Sequence, residues 1–233
     1  MRDLRRIINY YTKVQKVIPN HYNYPFTEGG YQIKSYTPSK LVLSNDEIKS
    51  VVDFNDFDKP EQEFSRDVWL LLYRLNGINF VDLLRMRWTD INGNCLVFFR
   101  RKTELTTIKN VKKINAPLIP GAVELIEKIG VKSSPFILGQ LPEDYSENTL
   151  VNRSDKLRRV FNKDLRFLTE KLNLSVPLTL ETARDCYATC LKRSGKPIER
   201  ISEMLGHSNV LVTQHYLGGM NLDETFDTNN DLF

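Results

Sequence analysis

Cysteine is scarce: there are three in 233 residues, Cys95, Cys186 and Cys190, and no CxxC pair among them. So odd and widely spaced a set builds no disulfide framework, and it points to free thiols in a reducing compartment. Cys186 and Cys190 fall on one helical face, and His207 and His215 follow in sequence. No tight ligand pair opens or closes such a cluster, so no metal and no other cofactor is expected. No apolar run approaches the roughly 20 residues of a membrane span. Repeats, low-complexity tracts and a secretory signal are not recognised, and the expectation is a soluble, cytoplasmic protein without a membrane partner.

An excess of one charge is also lacking. Lysine and arginine number 33 against 29 acids, a net charge of +4, with 41% hydrophobic and 27% charged residues. That balance buries a core and excludes disorder. The bases are nevertheless bunched, at residues 2–6, 100–113, 153–171 and 192–200. Clusters of this kind favour a polyanionic partner more than the net charge does.

Periodicity divides the chain. Residues 1–17 read as a basic amphipathic helix, and 18–40, rich in Pro, Gly, Asn and Tyr, as a linker. Ser44 and Glu47 form a capping-box pattern that opens the next helix. Pro60 starts a long apolar helix that Gly77 breaks, and NFVDLLRMRW (79–88) follows as a short one. The period then changes from 3.6 to 2, so that CLVFFRRKT (95–103) and TTIKNVKKINAPLI (106–119) read as strands. Helices are expected at 122–129, 150–172, 179–195 (capped by Thr179), 197–205 and 209–217. The fold class is therefore mainly α with a small antiparallel β-sheet (α+β).

Alone, ISEMLGHSNVLVTQHYL (201–217) resembles a helix-turn-helix with Gly206 at the turn. Leu211 and Val212, however, leave few polar residues to read bases. Tyr216 is alternatively a core aromatic or a nucleophile toward a phosphodiester. A phenol is a weak nucleophile near neutrality, and the phosphorane it forms carries extra negative charge, so cationic donors must converge on it. Arginine suits this task because its planar fork matches two phosphate oxygens and keeps its charge. Arg184 in TARDCYAT, His207 in LGHS and Lys102 in RRKT stand upstream of Tyr216.

The spaced combination ARD…LGHS…Y resembles the catalytic domain of the tyrosine recombinases, the phage-integrase family, over about residues 41–217. The resemblance implies that fold, and Tyr216 as the nucleophile nine residues after His207. It implies Arg184 as a clamp on the non-bridging oxygens, His207 as a donor to the same phosphate and Lys102 as the acid for the leaving 5′-oxygen. Residues 1–17 resemble the last helix of a truncated core-binding domain, and 218–233 a tail that docks in trans. The basic helix carrying Arg153, Lys156, Arg158, Arg159 and Lys163, with Lys109 and Lys112, is expected along DNA backbone.

Three positions depart from the family pattern. Glu181 stands where a histidine is usual, bringing negative charge toward a phosphate unless it turns away or meets a cation. Asp185 occupies the place where a second histidine often follows the arginine. In NGINFVDLL, Asn79 replaces the first catalytic arginine, wording that resembles a branch found on bacterial mobile elements. Arg100 is the preferred substitute, since strand alternation points it to the same face as Lys102; Arg74, before the glycine break, is the second candidate. Asn79 itself offers a neutral donor.

The implied activity is site-specific DNA recombination by metal-free transesterification through a 3′-phosphotyrosyl intermediate. The implied partners are double-stranded DNA and other protomers, with a monomer in solution, a tetrameric synapse on DNA and association with the bacterial nucleoid. A type IB topoisomerase-like relaxing enzyme and a catalytically impaired DNA-binding regulator are the alternatives.

Overall fold

The computed structural model describes residues 2–19, 23–26, 30–31, 42–101, 113–207, 210 and 212–213. The chain divides into two compact units, Met1–Pro38 and Ser39–Phe233. The first unit contains helix α1 (Arg2–Asn9), continued by one π-helical turn at Tyr10–Val14. Leu4, Ile7, Tyr10, Tyr11 and Val14 are exposed there, and Tyr24 donates to Asn9 Oδ1 at 2.7 Å.

In the second unit, α2 (Asn45–Asp53) opens with the capping box anticipated at Ser44 and Glu47. Glu47 also accepts from the Ser175 N–H at 2.6 Å. Burial opposes its charged form, but the backbone N–H groups of Ser175 and Ser44 prevail and hold the carboxyl at about 2. The helix start is thereby tied to a loop 128 residues away.

Helix α3 (Pro60–Arg74) is the central element. Trp69, Leu71 and Leu72 on it are fully buried, and the Trp69 indole donates to Thr179 O at 2.9 Å. Around it pack α5 (Pro120–Ile129), α6 (Glu147–Lys171) and α7 (Leu180–Arg193). Thr179 caps α7, accepting from the Thr182 N–H. A buried charge cluster fastens α3 to its neighbours: Arg66 meets Asp67 at 2.7 Å and donates to the carbonyls of Val52 and Phe54, while Lys128 of α5 pairs with Asp67.

Helix α4 (Phe80–Arg85) stops earlier than its apolar pattern suggests. Past Arg85 the backbone joins an extended segment: the Ile137 N–H donates to Met86 O at 2.8 Å, the Trp88 N–H to Pro135 O at 3.2 Å, and Arg87 bridges to Phe136. Among the described residues the sheet has three antiparallel strands in the order β1 (Ile91–Asn92), β2 (Cys95–Phe99), β3 (Lys113–Pro117). Two strands were expected; β1, only two residues long, was hidden before the Gly93 turn. Helix α8 (Ile198–Met204) completes the described elements before the Leu205–His207 turn, and Val210, Val212 and Thr213 are helical beyond it.

Candidate active site

Asn76 and Gly77 both adopt positive φ, 60° each, where α3 ends. A Cβ on Gly77 would lie 3.0 Å from Arg184 Cα, so this glycine supplies both the left-handed turn and the close approach of α7. Two residues on, Asn79 stands just before the first residue of α4, at the edge of a cleft of about 510 Å³. Asn79, Arg100, Arg158, Glu181, Arg184, Asp185 and His207 converge on this cleft, with Val212 at its wall.

Arg184 is buried, 7% exposed. Its Nη1 donates to Gly77 O at 2.6 Å and its Nη2 to Leu205 O at 2.7 Å. These bonds, together with its neighbours in the cleft, place it against the glycine break and the LGHS turn at once. His207 Nε2 lies 2.9 Å from Arg184 Nη2, and its Nδ1 lies 2.8 Å from Thr213 Oγ1. Guanidinium only donates, so Nε2 accepts and the ring is the neutral tautomer whose Nδ1–H donates to Thr213. Thr213 is fully buried, and its hydroxyl accepts from Nδ1–H in the tautomer that Arg184 imposes.

The residue at the first-arginine place and its anticipated substitute are in contact. The hydrogen-bond surroundings of Asn79 assign its amide oxygen to the side of Arg100, where it accepts from Nε and Nη2 at 3.1 Å each. Arg100 Nη1 also reaches Gly206 O at 3.4 Å. The route to this position differs from the one anticipated. Strand β2 ends at Phe99, so strand alternation does not orient Arg100; the chain leaves the sheet there and Arg100 turns to the cleft. Arg74 is a correction, because its Nη1 donates to Gly121 O at 2.7 Å, at the start of α5, and it does not line the cleft.

Glu181 meets a cation. Its Oε1 lies 3.1 Å from Arg158 Nε, an ion pair without hydrogen-bond alignment. Arg158 is thus a cleft residue, also bonded to Asp155 at 3.2 Å, and not simply one of the basic row on α6. Arg153 donates to Gln140 O and Oε1. Lys156, Arg159 and Lys163 are exposed, within about 60° of one helical face at 3.6 residues per turn. Among the described residues none of these three has an ion-pair partner.

Buried hydroxyls and thiols near the cleft are poor nucleophiles. Burial pushes the Tyr187 phenol up to about 12, and Tyr187 donates to Asn76 Oδ1. The Cys186 thiol is likewise raised to about 12, chiefly by burial. Tyr216, Lys102, Lys109 and Lys112 lie outside the described residues. Asp82 and Thr213 went unrecognised in the sequence. The legible signals were an acid at the third position of α4 and a threonine six residues after His207.

A protein-family model, the phage integrase family, matches residues 42–219. The chain belongs to the phage integrase family. The tyrosine recombinase XerD of Listeria monocytogenes (serotype 4b) is 23% identical over 177 residues, 75% of this chain and 57% of that protein. XerD of Halalkalibacterium halodurans is 39% identical over a shorter stretch of 106 residues, 37% of this chain and 36% of that protein. The chain therefore spans less than two thirds of these relatives. Among solved structures, a Tn1549 transposon integrase in complex with transposon right end DNA has a TM-score of 0.67 at 15% identity, covering 99% of this chain and 78% of that one. A lambda integrase dimer bound to a core site has 0.60 at 16% identity, covering 94% and 75%. Both share the fold of this phage integrase family member.

Proposed function

We propose that this phage integrase family member is a site-specific DNA recombinase that cleaves through Tyr216. The observation that carries the reading is the convergence of Arg100, Arg184 and His207 on one cleft. Two guanidinium groups and an imidazole there provide fixed donors for the charge that develops on a phosphorane. The Tyr216 oxygen bonds to phosphorus, the bond to the 5′-oxygen breaks, and Lys102 gives that oxygen its proton. A 5′-hydroxyl of a partner duplex then attacks the phosphotyrosine, so ester energy is retained without a nucleotide cofactor or metal.

Arg184 takes the non-bridging oxygens, and the arriving phosphate replaces its bond to His207 Nε2. His207 then takes up the phenol proton of Tyr216 at Nε2 and donates to the same phosphate, with Thr213 still accepting from Nδ1–H. Arg100, braced by Asn79, supplies the guanidinium that Asn79 lacks. Arg158 offsets Glu181, and Lys156, Arg159 and Lys163, with Arg153, Lys109 and Lys112, follow DNA backbone.

On this reading residues 41–217 are the catalytic domain, 1–17 the end of a core-binding domain, 18–40 a linker and 218–233 a tail for a neighbouring protomer. The protein acts as a tetramer on DNA, is a monomer when free, and works in the cytoplasm on the nucleoid. A nicked duplex that loses its 5′-hydroxyl strand on cleavage should trap the chain covalently, and Tyr216→Phe should abolish trapping. Specific DNA binding without any trapping would favour the second reading, a regulator on the same fold, to which Asn79 and Glu181 lend support.

A further inference from the structure

Asp82 is 2% exposed at the start of α4, where an acid commonly closes a capping box with the residue that begins the helix. At α2 Glu47 does this, accepting from the Ser44 N–H. Asp82 does not. Its Oδ1 accepts from the Arg101 N–H at 2.9 Å, 19 residues further along the chain. The side chain of Arg101 is anchored separately, its Nη2 2.6 Å and its Nε 3.1 Å from Glu147 Oε2 at the start of α6.

We propose that Asp82 is a positioning residue that holds Arg100 in the cleft. The first turn of α4 then grips this one arginine twice: Asn79 takes its guanidinium, and Asp82 fixes the main chain at the next residue. Strand β2 ends at Phe99, and just beyond it the bond from the Arg101 N–H to Asp82 fixes the main chain beside Arg100. The motif NFVD thus exchanges one arginine borne by α4 for a two-point cradle that holds an arginine from beyond the sheet. Burial raises the Asp82 carboxyl, against the Arg101 N–H and the nearby Arg100 and Arg85 charges. The site keeps a desolvated acid there in order to make this contact. The catalytic consequence rests on the recombinase reading above; the positioning itself does not.

Two measurements on the full chain separate these. In the first, hydrogen exchange of the Arg100 Nε–H, assigned by its loss in Arg100→Ala, is followed by nitrogen-15 NMR without DNA. Asp82→Ala should speed this exchange tenfold or more while the Arg66 Nε–H, bonded to Asp67, is unchanged; Asp82→Asn, which keeps an acceptor oxygen, should restore it. Asp82→Ser, too short to reach the Arg101 N–H, carries the same expectation as alanine should the alanine variant not fold. Unchanged Arg100 exchange in the folded variant overturns the proposal whether or not the chain cleaves DNA. In the second, single-turnover trapping should fall tenfold or more in Asp82→Ala at nearly unchanged DNA affinity, and adding Asp82→Ala to Arg100→Ala should cost nothing further. Multiplying effects would show that Asp82 acts otherwise than through Arg100. Absence of trapping in the parent would sink the recombinase reading alone.

Discussion

His207 is an acceptor toward Arg184, which sets the ring tautomer, and Thr213 accepts from the Nδ1–H and holds the ring in place. Thr213→Val keeps the shape and removes the acceptor, so single-turnover cleavage should fall roughly ten- to a hundredfold with DNA affinity preserved. A variant that cleaves at the parental rate would show that the Thr213 contact does not hold the ring for cleavage. Glu181 and Arg158 make a second residue-level case. Because the pair is partly exposed, with side chains 57% and 40% accessible, solvent screens it. Arg158→Ala should slow cleavage only about two- to fivefold, and adding Glu181→Gln should restore it. Persistence of the defect in the double variant would mean that Arg158 itself contacts the phosphate.

At the scale of elements, the caps were legible because they are local: Ser44 with Glu47, Pro60, Thr179, and the breaks at Gly77 and Gly206 each act within a few residues. The family motif likewise placed Arg184 and His207. Contacts across the chain were not legible. Arg74 looks free beside the glycine break, yet Gly121 takes it; α4 has the apolar pattern to continue, yet residues 135–137 claim its backbone. Arg100 was chosen by strand alternation, although the structure holds it by means that alternation does not encode.

The tether at Glu47 has a pH signature. Its folded carboxyl lies at about 2, below the ordinary 4.5, so its contribution to stability is full above the ordinary value and is lost as pH falls toward 2. Denaturation from pH 6 to 3 should show the parent losing stability that Glu47→Gln lacks from the outset; parallel curves would contradict the tether. The Arg66 cluster is a larger anchor. Arg66→Ala strands the carbonyls of Val52 and Phe54 and weakens the pairing of buried Asp67. It should cost about 3 kcal/mol or more in urea unfolding.

For the whole molecule, the exposed bases on α6 predict a salt signature. Replacing Lys156, Arg159 and Lys163 with alanine should weaken DNA binding and reduce the slope of log affinity against log salt by about 2 to 3. An unchanged slope would place the DNA on another face. Truncation after Gly219 should reduce assembly on DNA while sparing single-strand cleavage, and equal loss of both would remove the tail from any role between protomers.

On the proposed reading Arg100 restores the charge that Asn79 does not supply. The direct measurement is the single-turnover rate of covalent trapping on a nicked duplex, for the parent, Arg100→Ala and Tyr216→Phe, at saturating protein. The parent should trap, Tyr216→Phe should not, and Arg100→Ala should trap about a hundredfold or more slowly at similar DNA affinity. Trapping by Arg100→Ala at the parental rate would contradict it.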